Sequence, residues 1–148
     1  MDFEKCSDIS TNARIVVVEN KRKFTLRNQA KQSVRRVQVD GCLISDHRPR
    51  CDYLFEIGKK CHCAVYLELK GGDISKAFEQ LVATIGYIAK LNRHRESKLV
   101  CHIVASRVPR AGPKVQNLKV QMARKYNALL LVDTNEAVVD LQAATYLK

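Results

Sequence analysis

Three charged residues, Asp52, Glu68 and Lys70, have the types and spacing of a site that hydrolyses phosphodiester bonds. On a β-strand, Glu68 and Lys70 point to one face, while Leu67 and Leu69 point to the other. Two carboxylates and the Leu69 carbonyl are hard oxygen ligands that can hold Mg²⁺ and leave positions for water and a phosphate. An adjacent lysine can orient or activate the attacking water and offset negative charge in the transition state.

A predicted hairpin brings these residues together. The runs Cys51–Ile57 and His62–Lys70 have strand propensity, and the short connection between them is typical of an antiparallel pair. If the last residue of the first run pairs with the first residue of the second, Asp52 lies opposite Leu67, one residue from Glu68. We therefore expect the two acids and the lysine to converge at one end of the hairpin.

The remaining periodicities predict an α/β fold, a mixed central β-sheet flanked by helices with a β-rich N-terminal extension. The length favours a single domain spanning 1–148. Outside the hairpin, we predict strands at 13–19, 23–27, 34–44, 99–106 and 129–133, helices at 73–91 and 114–126, a basic turn at 109–113 and a helical tail at 136–148. Asp73 is the expected cap of the first helix, and 40–41 is either a hairpin turn or a bulge within its strand.

Cys51-Asp52, followed after fifteen residues by Glu68-Leu69-Lys70, resembles the active-site signature of the restriction-endonuclease-like, or PD-(D/E)XK, nuclease superfamily. The Gly-Gly-Asp that follows and the amphipathic helix after it fit the same pattern. The resemblance covers roughly 34–132. It implies a restriction-endonuclease-like core, dependence on Mg²⁺ with Mn²⁺ able to substitute, and a catalytic set carried by Asp52, Glu68 and Lys70.

The chain departs from the family pattern at several positions. Cys51 replaces the usual proline before the aspartate. Gln80 matches a glutamine that reaches the site in some branches and is a further catalytic candidate, but the tyrosine of those branches is Thr84 here. The superfamily often carries an additional acidic residue near its N-terminus, and either Glu4 or Glu19 is a candidate for that part.

The charge of the chain favours a polyanionic partner. Lysine and arginine number 26 against 15 acidic residues, which gives a formal net charge of +11. Such a surface gains binding free energy when phosphates displace condensed counterions. We predict nucleic-acid contacts at six basic residues in expected loops: Arg48, Arg50, Lys59, Lys60, Arg93 and Arg95.

Cysteine chemistry is a weaker candidate. Cys61 and Cys63 flank His62, but alternate strand positions point to opposite faces and no paired C-x₂-C spacing is present, which disfavours zinc.

The N-terminus lacks the order of a signal peptide and no apolar run could span a bilayer, so we expect a cytoplasmic protein without membrane contact. A reducing compartment then predicts six free thiols.

The function that the sequence predicts is a Mg²⁺-dependent DNA endonuclease, acting as a homodimer and with structure-specific cleavage of junction or branched DNA as one form of the activity. RNA remains open as a substrate. A non-catalytic nucleic-acid-binding module with the same fold is the alternative, and a subunit whose basic face binds an acidic protein is a third reading.

Overall fold

The computed structural model describes residues 1–107 and 113–147, apart from the side chains of Lys70 and Pro113. The predicted basic turn at 109–113 falls almost entirely outside the described residues. The strands are β1 (Ser7–Ser10), β2 (Arg14–Glu19), β3 (Arg22–Arg27), β4 (Val34–Gln38), β5 (Tyr53–Ile57), β6 (Cys63–Lys70), β7 (Lys98–Ala105), β8 (Ala128–Thr134) and β9 (Glu136–Asp140); the helices are α1 (Ile74–Ala89), α2 (Pro113–Tyr126) and a short 3₁₀ turn (Ala144–Tyr146).

Six strands form a mixed sheet in the order β1-β4-β5-β6-β7-β8. Within this sheet, β1 pairs antiparallel with β4, β4 with β5 and β5 with β6, whereas β6, β7 and β8 run parallel. Parallel neighbours need a crossover connection, and α1 and α2 supply the two crossovers. The predicted mixed α/β architecture is therefore confirmed.

Helix α1 forms where the sequence predicts it. The Asp73 side chain accepts a hydrogen bond from the Lys76 N–H at 3.0 Å and so caps the first turn. One apolar stripe of the helix is buried, and Phe78 and Leu81 belong to it. Helix α1 begins just after the end of β6, and β7 starts beside Cys63, the first residue of β6. The helix therefore runs back along the full length of β6.

The two faces of the large sheet are covered differently. Alternation along β6 directs Tyr66 into the core beneath the helices and Leu67 and Leu69 into the core on the other side. That second core is closed by a three-stranded sheet, β2-β3-β9, and not by helices. The expectation of a sheet flanked by helices thus holds for one face only, because β2 and β3 of the N-terminal segment, together with β9, cover the other.

Two local predictions are wrong. The tail begins with a strand where a helix was expected, and only Ala144–Tyr146 form a short 3₁₀ turn. Ala137 and Val139 of β9 are buried while Val138 is exposed, which is the two-residue period of a strand paired with β3. The predicted strand 34–44 ends at Gln38. Beyond it the backbone turns at Gly41, whose φ of +84° favours glycine.

The prediction of six free thiols is also wrong, because Cys6 and Cys42 form a disulfide with a Cα–Cα distance of 5.6 Å. The pairing of β1 with β4 places the residue before β1 against the turn that follows β4. This contact joins positions separated by 36 residues, so no local pattern announces it. The free cysteines of the described residues are Cys51, Cys61, Cys63 and Cys101.

Gly58, in the turn between β5 and β6, is predicted to be required for the stability of the hairpin. Its φ is +89°, and a Cβ atom there would lie 2.6 Å from Cδ2 of His62. We expect Gly58→Ala to lower the free energy of unfolding by about 1–3 kcal/mol, measured by chemical denaturation. The matched control is Gly86→Ala in α1, where an added Cβ meets nothing within 4 Å and a gain of about 0.5–1 kcal/mol is expected. Equal effects of the two substitutions would contradict this account.

Candidate functional site

The register of the hairpin sets Asp52 and Glu68 side by side. Ile57 pairs with Cys63, one residue later than the predicted partner. The same register pairs Tyr53 with Leu67, so its continuation by one residue places Asp52 opposite Glu68. The sequence-based pairing was wrong by one position, and the observed pairing brings the two acids closer than that prediction did.

The backbone around Asp52 fixes its carboxylate. The Asp52 N–H donates to the Leu67 carbonyl at 3.1 Å, and the Leu69 N–H donates to Oδ2 of Asp52 at 2.8 Å. Residues on both sides of Glu68 thus hold the Asp52 segment. The Asp52 side chain also interacts with that of Glu68, so the two carboxyl groups are neighbours.

Two departures from the family pattern are physically coupled in this structure. The Cys51 N–H donates to Oγ1 of Thr84 at 2.9 Å, and the Thr84 hydroxyl donates to the Gln80 carbonyl at 2.8 Å. A proline at position 51 has no N–H for such a bond. Cys51 and Thr84 together therefore tie the Asp52 segment to α1, at the turn that carries Gln80.

Two further acidic residues lie at the same end of the sheet. Glu19 and its pairing partner Arg22 flank the β2–β3 turn, whose central residues both have positive φ, as in a type I′ hairpin. Asp40 is held by its N–H, which donates to the Asp52 carbonyl at 3.2 Å. Of the two acidic candidates near the N-terminus, Glu19 lines the pocket at this end of the sheet. Asp40 was interpreted only as a turn residue, and its part in the pocket was missed.

These four acids line one pocket of about 320 Å³, here called the acidic pocket. Glu68 is buried, with 2% of its surface exposed. The Nε of Arg50 donates to Oδ1 of Asp40 at 2.9 Å, which neutralises part of the charge at the rim. Arg22 and Gln80 line the pocket as well, and Nε of Arg22 and Oε1 of Gln80 are buried without a hydrogen-bond partner among the described residues.

The surroundings raise the pKa of Asp52 from its ordinary value of 3.8 to about 6. Burial is the largest cause, and the nearby carboxylates of Glu19 and Asp40 add to it, while the Leu69 N–H and the interaction with Glu68 act in the opposite direction. Because an ionised carboxylate is costly at this position, a bound cation would relieve the cost.

The donor set of the acidic pocket fits Mg²⁺. The charged groups of the pocket that can bind a metal are all carboxylates, and Mg²⁺ typically uses one or two carboxylates together with water and phosphate oxygens. Leu69 lines the pocket, and its carbonyl stays a predicted ligand. Lys70 ends β6 and pairs with Ala105; its side chain lies outside the described part of the structure, so its assistance to the attacking water also stays a prediction.

The six predicted nucleic-acid-binding residues divide between the two ends of the sheet. Arg50 lines the acidic pocket, and the guanidinium of Arg48 lies 5.0 Å from the centre of the Tyr87 ring on α1. The other four line a larger cleft of about 660 Å³, here called the basic cleft, at the opposite end of β6: Lys59, Lys60, Arg93 and Arg95.

A buried ionic cluster forms one wall of the basic cleft. Glu56 accepts two hydrogen bonds from Arg93, each of 2.9 Å, and its Oε2 lies 2.5 Å from Nε2 of His94. Nδ1 of His94 lies 2.9 Å from the Tyr66 hydroxyl, and Arg35 approaches Glu56 within 3.6 Å. Although burial alone would raise the pKa of Glu56, the hydrogen bonds from His94 and Arg93 outweigh it and hold the pKa at about 2.

Glu56, Cys61 and His94 have ligand atoms within 4.8 Å of one another, and within the described ranges they are the only such group of three. A metal would meet two guanidinium groups there, and both oxygens of Glu56 already bind Arg93. We therefore assign the cluster a structural part. The acidic pocket offers a pair of closely placed carboxylates instead, which is the number that Mg²⁺ commonly takes from a protein.

Comparisons of this chain with protein families, with curated proteins and with solved structures return no match. Neither helix among the described residues is long and apolar enough to cross a membrane.

The raised pKa of Asp52 predicts a stability that falls with pH. The folded protein keeps this proton up to about pH 6, whereas the unfolded chain releases it near the ordinary value, so the ionised group destabilises the fold at higher pH. In EDTA at pH 8, Asp52→Asn should raise the free energy of unfolding by roughly 1–3 kcal/mol, and this gain should vanish below about pH 4. Asp8→Asn, at an exposed position of β1, is the control and should show little such dependence; a loss of stability for Asp52→Asn at both pH values would contradict the prediction.

The lowered pKa of Glu56 predicts the opposite pH dependence. Its ionised form stabilises the fold above the ordinary pKa of 4.5, and that contribution is lost as the pH falls towards 2. Removing one partner of a buried ion pair leaves the others uncompensated, so Glu56→Gln should cost about 3–5 kcal/mol at pH 7 and clearly less at pH 3. Urea denaturation at both pH values measures this, and an unchanged midpoint at pH 7 would show that the cluster is not structural.

Proposed function

We propose that the protein is a Mg²⁺-dependent DNA endonuclease that cuts phosphodiester bonds at the acidic pocket. The observation that carries the proposal is the placement of Asp52 opposite Glu68 on neighbouring segments, inside a pocket that also presents arginine side chains. Carboxylates that bind a divalent cation beside groups that bind phosphate are the parts that phosphodiester hydrolysis requires.

Each residue has a part in this proposal. Asp52 and Glu68 hold the cation, whose chemistry is to polarise a phosphate oxygen and to favour ionisation of an attacking water. Lys70 orients that water and offsets the charge that builds on the phosphate. Gln80, whose buried Oε1 faces no hydrogen-bond donor among the described residues, can accept a hydrogen bond from the same water.

Arginines at the rim suit the flanking phosphates of the substrate. Arg22 and Arg50 both line the acidic pocket, and a guanidinium binds phosphate oxygens through two parallel hydrogen bonds. Arg50 is paired with Asp40, so Arg22, whose Nε has no hydrogen-bond partner among the described residues, is the first candidate for a phosphate. The net charge of +11 supplies a general attraction to the nucleic-acid backbone. Neither feature distinguishes DNA from RNA, and the choice of DNA, the homodimeric state and structure-specific cleavage follow the family resemblance alone.

The test is cleavage of supercoiled, linear and branched DNA by purified protein, with Mg²⁺ and with EDTA. We expect EDTA to abolish cleavage, and Glu68→Gln or Asp52→Asn to lower the rate by on the order of 10²-fold or more, since each removes a carboxylate that would hold the cation. Lys70→Ala should also lose activity. The control, Glu79→Gln, changes an exposed acid on α1 and should retain the full rate.

Unchanged cleavage by a folded Glu68→Gln variant, or cleavage that persists in EDTA, would overturn the proposal. The basic cleft favours one other outcome, because it can bind a polyanion without any chemistry. DNA binding without EDTA-sensitive cleavage on every substrate would assign the protein as a non-catalytic nucleic-acid-binding module.

A further inference from the structure

We propose that the basic cleft is a second binding surface for the nucleic-acid backbone, which engages the substrate at a distance from the cut. The inference rests on the proposed function for the position of the cut, but binding at the cleft does not depend on catalysis. The proposed ligand of the basic cleft is a run of consecutive phosphates of a nucleic acid.

Three cations of the basic cleft are available to a ligand. Lys59 and Lys60 lie in the β5–β6 turn, Arg95 lies in the segment between α1 and β7, and all three are exposed. None of them forms an ion pair with another described residue. By contrast, Arg93 and Arg35 are committed to Glu56. The positive charge that faces a ligand in the cleft therefore comes from the two lysines and Arg95, and exposed Glu96, which also lines the cleft, offsets part of it.

The buried cluster holds these cations in place. Arg93, bound to Glu56 on β5 and packed 3.8 Å from the centre of the Phe3 ring, fixes the segment that carries Arg95. The hydroxyl of Ser97 donates to the Cys61 carbonyl at 2.5 Å and joins this segment to the turn that carries both lysines. A preorganised set of cations loses less entropy when a backbone binds than cations on free loops.

The acidic pocket and the basic cleft lie at opposite ends of β6, and α1 runs between these ends. The segment that leads into Asp52 runs beside α1: the Cys51 N–H binds Thr84, and Arg48 stacks on Tyr87, almost one turn further along the helix. The Arg48 guanidinium is paired with Asp46 at 2.9 Å, so this segment adds no net charge between the two sites. Helix α1 carries one acidic residue, Glu79, which lies in its first half.

The separation of the two sites matches a short stretch of nucleic acid. From Glu68 to His62 along β6 the chain covers about 20 Å, at roughly 3.3 Å for each residue. Phosphates of one strand follow at about 3.4 Å along a duplex axis, so a backbone that reaches both sites spans about six nucleotides. The predicted footprint is therefore longer than the acidic pocket alone would give.

The experiment measures affinity for a labelled duplex of about three helical turns in EDTA, as a function of salt. Loss of one phosphate contact lowers the slope of log K against log salt by about 0.9 and the affinity at 0.1 M salt by about eightfold. We expect Lys59→Ala/Lys60→Ala to lower the slope by about 1.8 and to weaken binding by about 60-fold. Arg95→Ala should act in the same direction by about eightfold.

The matched control is Arg124→Ala/Lys125→Ala, which removes the same charge from exposed positions in the last turn of α2, outside the basic cleft. It should weaken binding by less than about threefold, the long-range effect of net charge. Equal losses in the cleft and control variants would overturn the inference. Because the measurement is made in EDTA, its outcome is separate from the cleavage test.

A second readout places the cleft on the substrate. In ethylation interference on cleaved duplexes, wild-type protein should show a sensitive phosphate about six nucleotides from the cut, and the Lys59→Ala/Lys60→Ala variant should lose that sensitivity while keeping the signal at the cut. Interference confined to the cut in both proteins would contradict the proposal.

Discussion

The whole site depends on one electrostatic constraint, the placement of the Asp52 carboxylate opposite that of buried Glu68. Asp52 and Glu68 would separate or stay protonated if nothing compensated their charge. The fold prevents separation, because the backbone amide of Leu69 binds Asp52 and the sheet holds both strands. Burial, together with the carboxylates of Glu19 and Asp40, raises the pKa of Asp52, so an ionised carboxylate is costly at this position. A divalent cation is the ligand that removes this cost most directly.

The architecture around the pair serves to keep it rigid and partly enclosed. Two cores, one beneath the helices and one beneath the small sheet, cover the hairpin on both faces. The tip of the β2–β3 hairpin brings Glu19 to the pocket, and the Cys6–Cys42 disulfide ties the N-terminal segment to the turn that contains Asp40. At the other end of the same strands, the Glu56 cluster anchors the segment between α1 and β7. Both ends of one sheet thus present charge from fixed positions.

Much of this arrangement follows from short-range patterns in the sequence. The alternation around Glu68, the cap at Asp73 and the apolar run of β7 are local, and they predict the hairpin, α1 and the strand at 99–106. Contacts between residues that are far apart in the chain cannot be predicted from such local patterns. The one-residue shift of register depends on where the turn at Gly58 closes, the placement of Asp40 depends on β4 and the disulfide, and the strand at 136–140 forms because β3 offers it a partner. Lys59 and Lys60 could be predicted as basic surface residues, but not their distance from Glu68.

A crystal of the protein soaked in Mn²⁺ tests the central claim most directly, because Mn²⁺ takes the same oxygen ligands as Mg²⁺ and its anomalous scattering locates it without ambiguity. We predict a peak between the carboxylates of Asp52 and Glu68 that disappears in the Asp52→Asn variant. A pocket without a peak, or a peak at Glu56, Cys61 and His94 instead, would contradict it.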